Sequence, residues 1–178
     1  MKKSFWSDAA LFGAFLGLEE IVFMILETLK PSTLLGLLHF AAFIALLVIF
    51  TKRRAALAGS DEGYSYGKCW QYIVCMSLFA GVVAGAYSIL AANFFFPEYY
   101  QSQLNQSLSI LSQSGAYSAE MLREMKSLMT KMVVSPFWVM FSSLLAYAFK
   151  GAFCGLIVAA FTKREPQMFA SDNDTAHE

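Results

Sequence analysis

Residues 9–50 read AALFGAFLGLEEIVFMILETLKPSTLLGLLHFAAFIALLVIF, two long apolar runs divided by Lys30-Pro31-Ser32. A helix crosses the hydrocarbon core of a bilayer with about 20 mostly apolar residues. Residues 9–29 and 33–50 both fall in the workable range. Pro31 lacks an N–H and cannot continue a helix, so the chain must turn there. The stretch therefore predicts an antiparallel hairpin of two transmembrane helices.

Working outward, residues 72–96 and 136–161 are two further apolar runs of spanning length. The whole chain of 178 residues is 57% hydrophobic and 15% charged, whereas an ordinary soluble domain carries about 25% charged residues. The expected fold is an all-α integral membrane protein, a bundle of four transmembrane helices. Residues 1–164 form the membrane domain, and the polar stretch 165–178 is expected to be a disordered tail. Lys2 and Lys3 before an apolar run resemble a signal peptide. Glu19 and Glu20 interrupt that run and no A-x-A site follows, so it is read as a retained span.

Basic residues set the orientation. Lys2, Lys3, Lys52, Arg53, Arg54, Lys68, Lys163 and Arg164 collect on one side of the four spans, and only Lys30, Arg123, Lys126 and Lys131 on the other. Both termini are expected to be cytoplasmic. Trp6, Trp70 and Trp138 fall near span ends, where interfacial aromatics belong. The connection 51–67, with its glycines and Asp61-Glu62, is expected to have little regular structure.

Residues 97–135 are too long for a plain connection and predict an external pair of amphipathic helices. In the first, Tyr100, Leu104, Leu108 and Leu111 recur at helical spacing. In the second, Ser118 can cap and Met121, Leu122, Met125, Leu128, Met129 and Met132 form one stripe, with Glu120, Arg123, Glu124, Lys126 and Lys131 opposite. That stripe suits either a membrane surface or partner, or closure against the first helix of the pair. Ser114-Gly115 separates the two helices, and Ser135-Pro136 reads as the cap and first residue of the last span.

Soluble-enzyme signatures are missing: there is no HExxH, no glycine-rich phosphate loop and no G-x-S-x-G. Cys69, Cys75 and Cys154 lie in apolar runs without CxxC spacing and read as small core fillers. No cofactor, no metal and no catalytic residue is expected. A formal net charge of zero gives no field to attract nucleic acid.

The informative residues are the charges inside the spans. Glu19, Glu20 and Lys150 fall near the bilayer midplane by count, where each charge costs about 2.5–3.5 kcal/mol. Ten large apolar residues of the first span return about 5 kcal/mol against about 6 for its two glutamates. One ion pair with Lys150 and one neutral acid would remove most of the deficit. Glu20 shares a helix face with Gly13, Gly17 and Glu27, and small residues mark close helix packing. Glu19 shares its face with Phe12, Phe15 and Val22, so Glu20 is the expected partner of Lys150. Ser143, Tyr147, Lys150 and Cys154 form the receiving face. His39 on the second span can join this cluster or bond a neighbouring helix. The cluster suits a proton or ion relay, or a lock that fixes helix rotation. One lysine and one histidine without a second wet helix favour the lock.

Three GxxxG pairs, Gly13/Gly17, Gly81/Gly85 and Gly151/Gly155, signal close helix contact. The pattern alone does not separate packing within the chain from dimerisation. Membrane lipid, and either a second copy or another membrane protein, are the expected partners.

The run Gly63-Tyr-Ser-Tyr-Gly-Lys-Cys, then Phe96-Pro-Glu-Tyr-Tyr, then Lys150-Gly-Ala-Phe-Cys-Gly-Leu-Ile resembles Domain of Unknown Function family 4199, as does the long insert before the last span. The resemblance implies a four-span protein of the Gram-negative bacterial inner (cytoplasmic) membrane without an established activity. It further implies an accessory role in envelope lipid-linked sugar metabolism, and it supplies no catalytic residue. A non-enzymatic subunit or scaffold is therefore the leading expectation. A small ion-coupled transporter using Glu20, Lys150 and His39 is the first alternative, and an intramembrane enzyme acting on a lipid is the second.

Overall fold

Ser4 accepts a hydrogen bond from the Ser7 N–H at 3.2 Å and opens the first helix, α1 (Phe5–Leu29). This computed structural model describes residues 4–58, 63–113, 115 and 117–164. The tail 165–178, Lys2, Lys3 and Asp61-Glu62 lie outside the described residues. The helices that follow are α2 (Thr33–Leu57), α3 (Tyr66–Leu90), α4 (Pro97–Gln113), α5 (Ala119–Val134) and α6 (Pro136–Thr162). Helices α1, α2, α3 and α6 are long and apolar enough to cross a membrane. No strand forms among the described residues.

Three boundaries differ from the sequence reading. Helix α1 starts at Phe5, not Ala9, α2 runs through Lys52-Arg53-Arg54 to Leu57, and α3 starts at Tyr66, not Tyr72. Hydropathy marks where lipid ends, whereas backbone hydrogen bonding continues into water while side chains find partners. Here Arg53 lies over the Phe12 ring at 4.9 Å, and Thr51 and Ala55 are buried. The connection 51–67 is thus mostly helical at both ends. Gly63 takes a positive φ of 59°, and Tyr64 then exchanges two backbone hydrogen bonds with Arg164, at 2.7 and 2.9 Å. Burial pushes the Tyr64 hydroxyl above its ordinary range.

At the other end, α3 widens into one π-helical turn, Ala91–Phe95, before Pro97. The Asn93 amide donates to the Ile89 carbonyl at 2.9 Å and the Val134 carbonyl at 3.4 Å, which ties this turn to the end of α5. Pro136 occupies the first turn of α6 as expected, but the Ser135 side chain makes no capping hydrogen bond. Ser118 does cap α5, accepting from Met121 N–H at 3.2 Å.

Helix α3 is the centre of the bundle. Gly13 and Gly17 of α1 lie against Met76, Phe79, Ala80 and Val83 in parallel order, and Gly81, Gly85, Gly151 and Gly155 bring α3 and α6 together antiparallel. All three GxxxG pairs are used inside the chain. Helix α2 packs more loosely: 11% of its apolar window is buried, against 39% for α3. The α1–α2 turn, the π turn and the α4–α5 pair therefore share one end of the bundle, and the described terminal segments share the other.

Candidate functional site

Glu20 is buried among three helices. The Lys150 ammonium bonds its Oε1. Oε2 accepts the Tyr147 hydroxyl at 2.7 Å and lies 2.8 Å from His39 Nε2. The helical period explains the grouping: Tyr147 and Lys150 are three apart on α6 and therefore share a face. The lysine also rests on the Phe43 ring of α2, 3.8 Å from its centroid, a cation–π contact that replaces part of its lost hydration. Glu20 of α1, His39 and Phe43 of α2, and Tyr147 and Lys150 of α6 thus meet at one point. Cys154 and Ser143 share the α6 face without joining it; the Ser143 hydroxyl donates to the Gly81 carbonyl at 2.9 Å.

Glu19 lies beside this group, half-buried, and its two carboxylate oxygens are inaccessible and make no hydrogen bond to the protein. Glu19, Glu20 and His39 each present one ligand atom within 4.8 Å of the others. The sequence reading grouped these three residues with Lys150 in one polar cluster and named no metal ligand among them. His39 has a second carboxylate neighbour: its Nδ1 is 3.7 Å from Glu27 Oε1. Phe23 stacks on the imidazole, with centroids 4.8 Å apart and planes 10° apart.

A second polar cluster, missed in the sequence, closes the terminal end. Asp8 is only 2% exposed. Its Oδ2 accepts the Tyr72 hydroxyl at 3.2 Å and lies 3.5 Å from Arg54 Nη1. The one available signal was an acid set against an apolar run, with its partner 46 residues away. Asp8→Asn keeps a Tyr72 acceptor and removes the charge. It should lower stability by about 1.5 kcal/mol, the low end for a hydrogen bond to a charged group. Thermal unfolding in mild detergent, followed by circular dichroism, measures it; an unchanged midpoint would mean that this cluster holds nothing.

The methionine stripe of α5 splits. Met121, Leu128 and Met132 are exposed, while Leu122, Met125 and Met129 are half-buried. No residue of α5 is fully buried, so α4 does not close over the stripe. Between the π turn, α5 and the start of α6 lies a cleft of about 220 Å³, lined by Ser88, Ala92, Tyr100, Met132, Val133, Trp138, Val139 and Ser142.

Four apolar helices of spanning length, with an ion pair buried between them, define a multi-pass membrane protein. The chain belongs to the family described as "Protein of unknown function (DUF4199)", whose profile matches residues 11–164. No curated protein and no solved structure matches it.

Proposed function

We propose that this chain is a non-enzymatic subunit of a membrane assembly in the bacterial inner membrane, with both termini cytoplasmic and α4 and α5 on the external side. The observation that carries this reading is the saturation of Glu20. Its oxygens are taken by Lys150, His39 and Tyr147 of its own chain. A carboxylate acting on a substrate must be within hydrogen-bond reach of the group it serves, and this one is turned inward onto its own bundle. Such a cluster fixes the rotation of α1, α2 and α6, with no basis for assigning it a turnover. The membrane unit spans residues 1–164, with an external insert at 97–135. Arg53, Arg54, Lys163 and Arg164 at the terminal end support the orientation. The family resemblance implies the setting, accessory to lipid-linked sugar metabolism of the envelope. The partner is a second copy or another membrane protein, met by the exposed Met121, Leu128 and Met132 of α5.

A photocrosslinking residue placed at Leu128 in native membranes should yield discrete protein adducts, whereas one at Phe153, 72% exposed on a span, should yield lipid adducts alone. Lipid adducts alone at both positions would overturn the subunit reading. A second reading, an ion-coupled carrier, is favoured by one observation: four ionisable side chains, Glu19, Glu20, His39 and Lys150, gather at one point within the spans.

A further inference from the structure

The His39 imidazole faces two carboxylates with its two nitrogens: Glu20 at 2.8 Å from Nε2 and Glu27 at 3.7 Å from Nδ1. A ring so placed can take a proton at one nitrogen and release one from the other. The Phe23 ring stacked on it holds its plane. The two carboxylates differ in access, since the Glu27 side chain is 38% exposed and that of Glu20 only 3%. Glu27 stands two residues before the end of α1, and Glu20 lies about 10 Å deeper at 1.5 Å per residue. Gly36 of α2 lies beside the outer acid, where a Cβ would stand 4.0 Å from Glu27 Oε1, an ordinary van der Waals contact.

The charges leave one proton unassigned. Lys150 balances Glu20, and Glu19 remains beside them with buried oxygens and no hydrogen bond to the protein. In a low-dielectric site the sum must stay near neutral. Either Glu19 holds a proton, or Glu19 is ionised and His39 holds it. The ionisable groups acting on His39 are Glu19, Glu20 and Glu27 from α1 and Lys150 from α6, with the Tyr147 hydroxyl beside them on Glu20. Toward the terminal end the path stops. Phe12, Leu16, Phe43, Leu47 and Met76, buried and apolar, occupy the core between Glu20 and Asp8, and the buried Thr51 and Ser77 hydroxyls make no hydrogen bond to the protein that would link them into a chain.

We propose that Glu27 and His39 form a one-sided proton path, through which the buried Glu19–Glu20 site binds and releases one proton from the α1–α2 turn end alone. Glu27 Oε1 at 3.7 Å is outside hydrogen-bond reach, so a proton passes from the Glu27 carboxyl to His39 Nδ1 through one water or after rotation of the half-exposed Glu27 side chain, and the Nε2 proton passes to a buried carboxylate. Only N–H and O–H bonds change, no electron is transferred, and the reverse sequence releases the proton. The path holds whether the chain serves as a subunit or as a carrier.

The test uses the full chain, uniformly oriented in vesicles of phosphatidylethanolamine and phosphatidylglycerol, with a pH jump applied to one side. The carboxylic-acid carbonyl band is followed by time-resolved infrared spectroscopy. A jump on the turn side should change the band promptly; a jump on the terminal side should act only after a protonophore is added. Glu27→Gln, at a half-exposed position that does not endanger folding, should slow the remaining band about 10²-fold, the low end of what a positioned acid–base group supplies. His39→Phe should abolish the fast response. Equal responses from both sides, an unchanged rate in Glu27→Gln, or no titrating band between about pH 4 and 9 would each overturn the proposal.

Discussion

Glu20→Gln should destabilise the folded chain by about 3 kcal/mol, because it leaves Lys150 charged in the bundle without its carboxylate. The substitution preserves shape and can still meet Tyr147 and His39, so the loss reports the charge. The Phe43 ring under the ammonium limits the damage, as a desolvated cation–π contact contributes up to about 2 kcal/mol. Lys150→Met should cost less, since Glu20 then keeps the Tyr147 hydrogen bond and its His39 partner. The decisive variant is the pair, Glu20→Gln with Lys150→Met, in which the amide still serves the Tyr147 hydroxyl and His39. Removing both charges of a buried ion pair together is often near neutral, so the double variant should unfold within about 1 kcal/mol of the parent. Unfolding in mixed micelles of mild detergent and sodium dodecyl sulfate, followed by circular dichroism, measures all three. A double variant no better than Glu20→Gln would show that the two side chains do not act as a pair.

The four spans were legible because a membrane crossing is a length requirement written in consecutive residues. The choice of Glu20 over Glu19 toward α6 also lay in the sequence, through the helical period that puts Glu20 with Gly13 and Gly17. The ring of partners around Glu20 was legible only in part. Tyr147 follows from its three-residue offset to Lys150, but nothing in one sequence says which rotation of α2 brings His39 and Phe43 inward. Glu27 was visible as a face-mate of Glu20, not as a neighbour of His39, since that contact depends on the α1–α2 turn.

Asp8 and Arg54 were not legible for a different reason. Hydropathy treats a charge at a span end as solvated, and only the helical continuation of α2 beyond Phe50 carries Arg54 to Asp8. The α4–α5 pair was legible as two helices from spacing and caps. Whether its stripe was covered depended on how α4 crosses α5, which periodicity does not encode.

The glycine seams give the second large effect. A Cβ at Gly13 would meet the Met76 carbonyl oxygen and the Phe79 Cβ, both at 2.5 Å. The first is backbone within α3 and has no rotamer through which to retreat, so α1 must move off α3 as a body. Overpacking of this kind costs about 1–3 kcal/mol, and Gly13→Val, with two further carbons in the same gap, belongs at the upper end. Separation there also disturbs Glu20, two turns along the same face. Gly67→Ala is the control, for nothing lies within 4 Å of its Cβ. It should be silent or slightly stabilising, since alanine holds a helix better than glycine by about 1 kcal/mol. The comparison also separates two uses of a GxxxG pair. A seam inside one chain loses stability at any protein concentration, whereas a dimer seam loses association on dilution and leaves the monomer fold intact. Unfolding midpoints measured across a dilution series in mild detergent should fall for Gly13→Val by the same amount throughout. A loss that vanished at high dilution would assign Gly13 and Gly17 to a contact between chains.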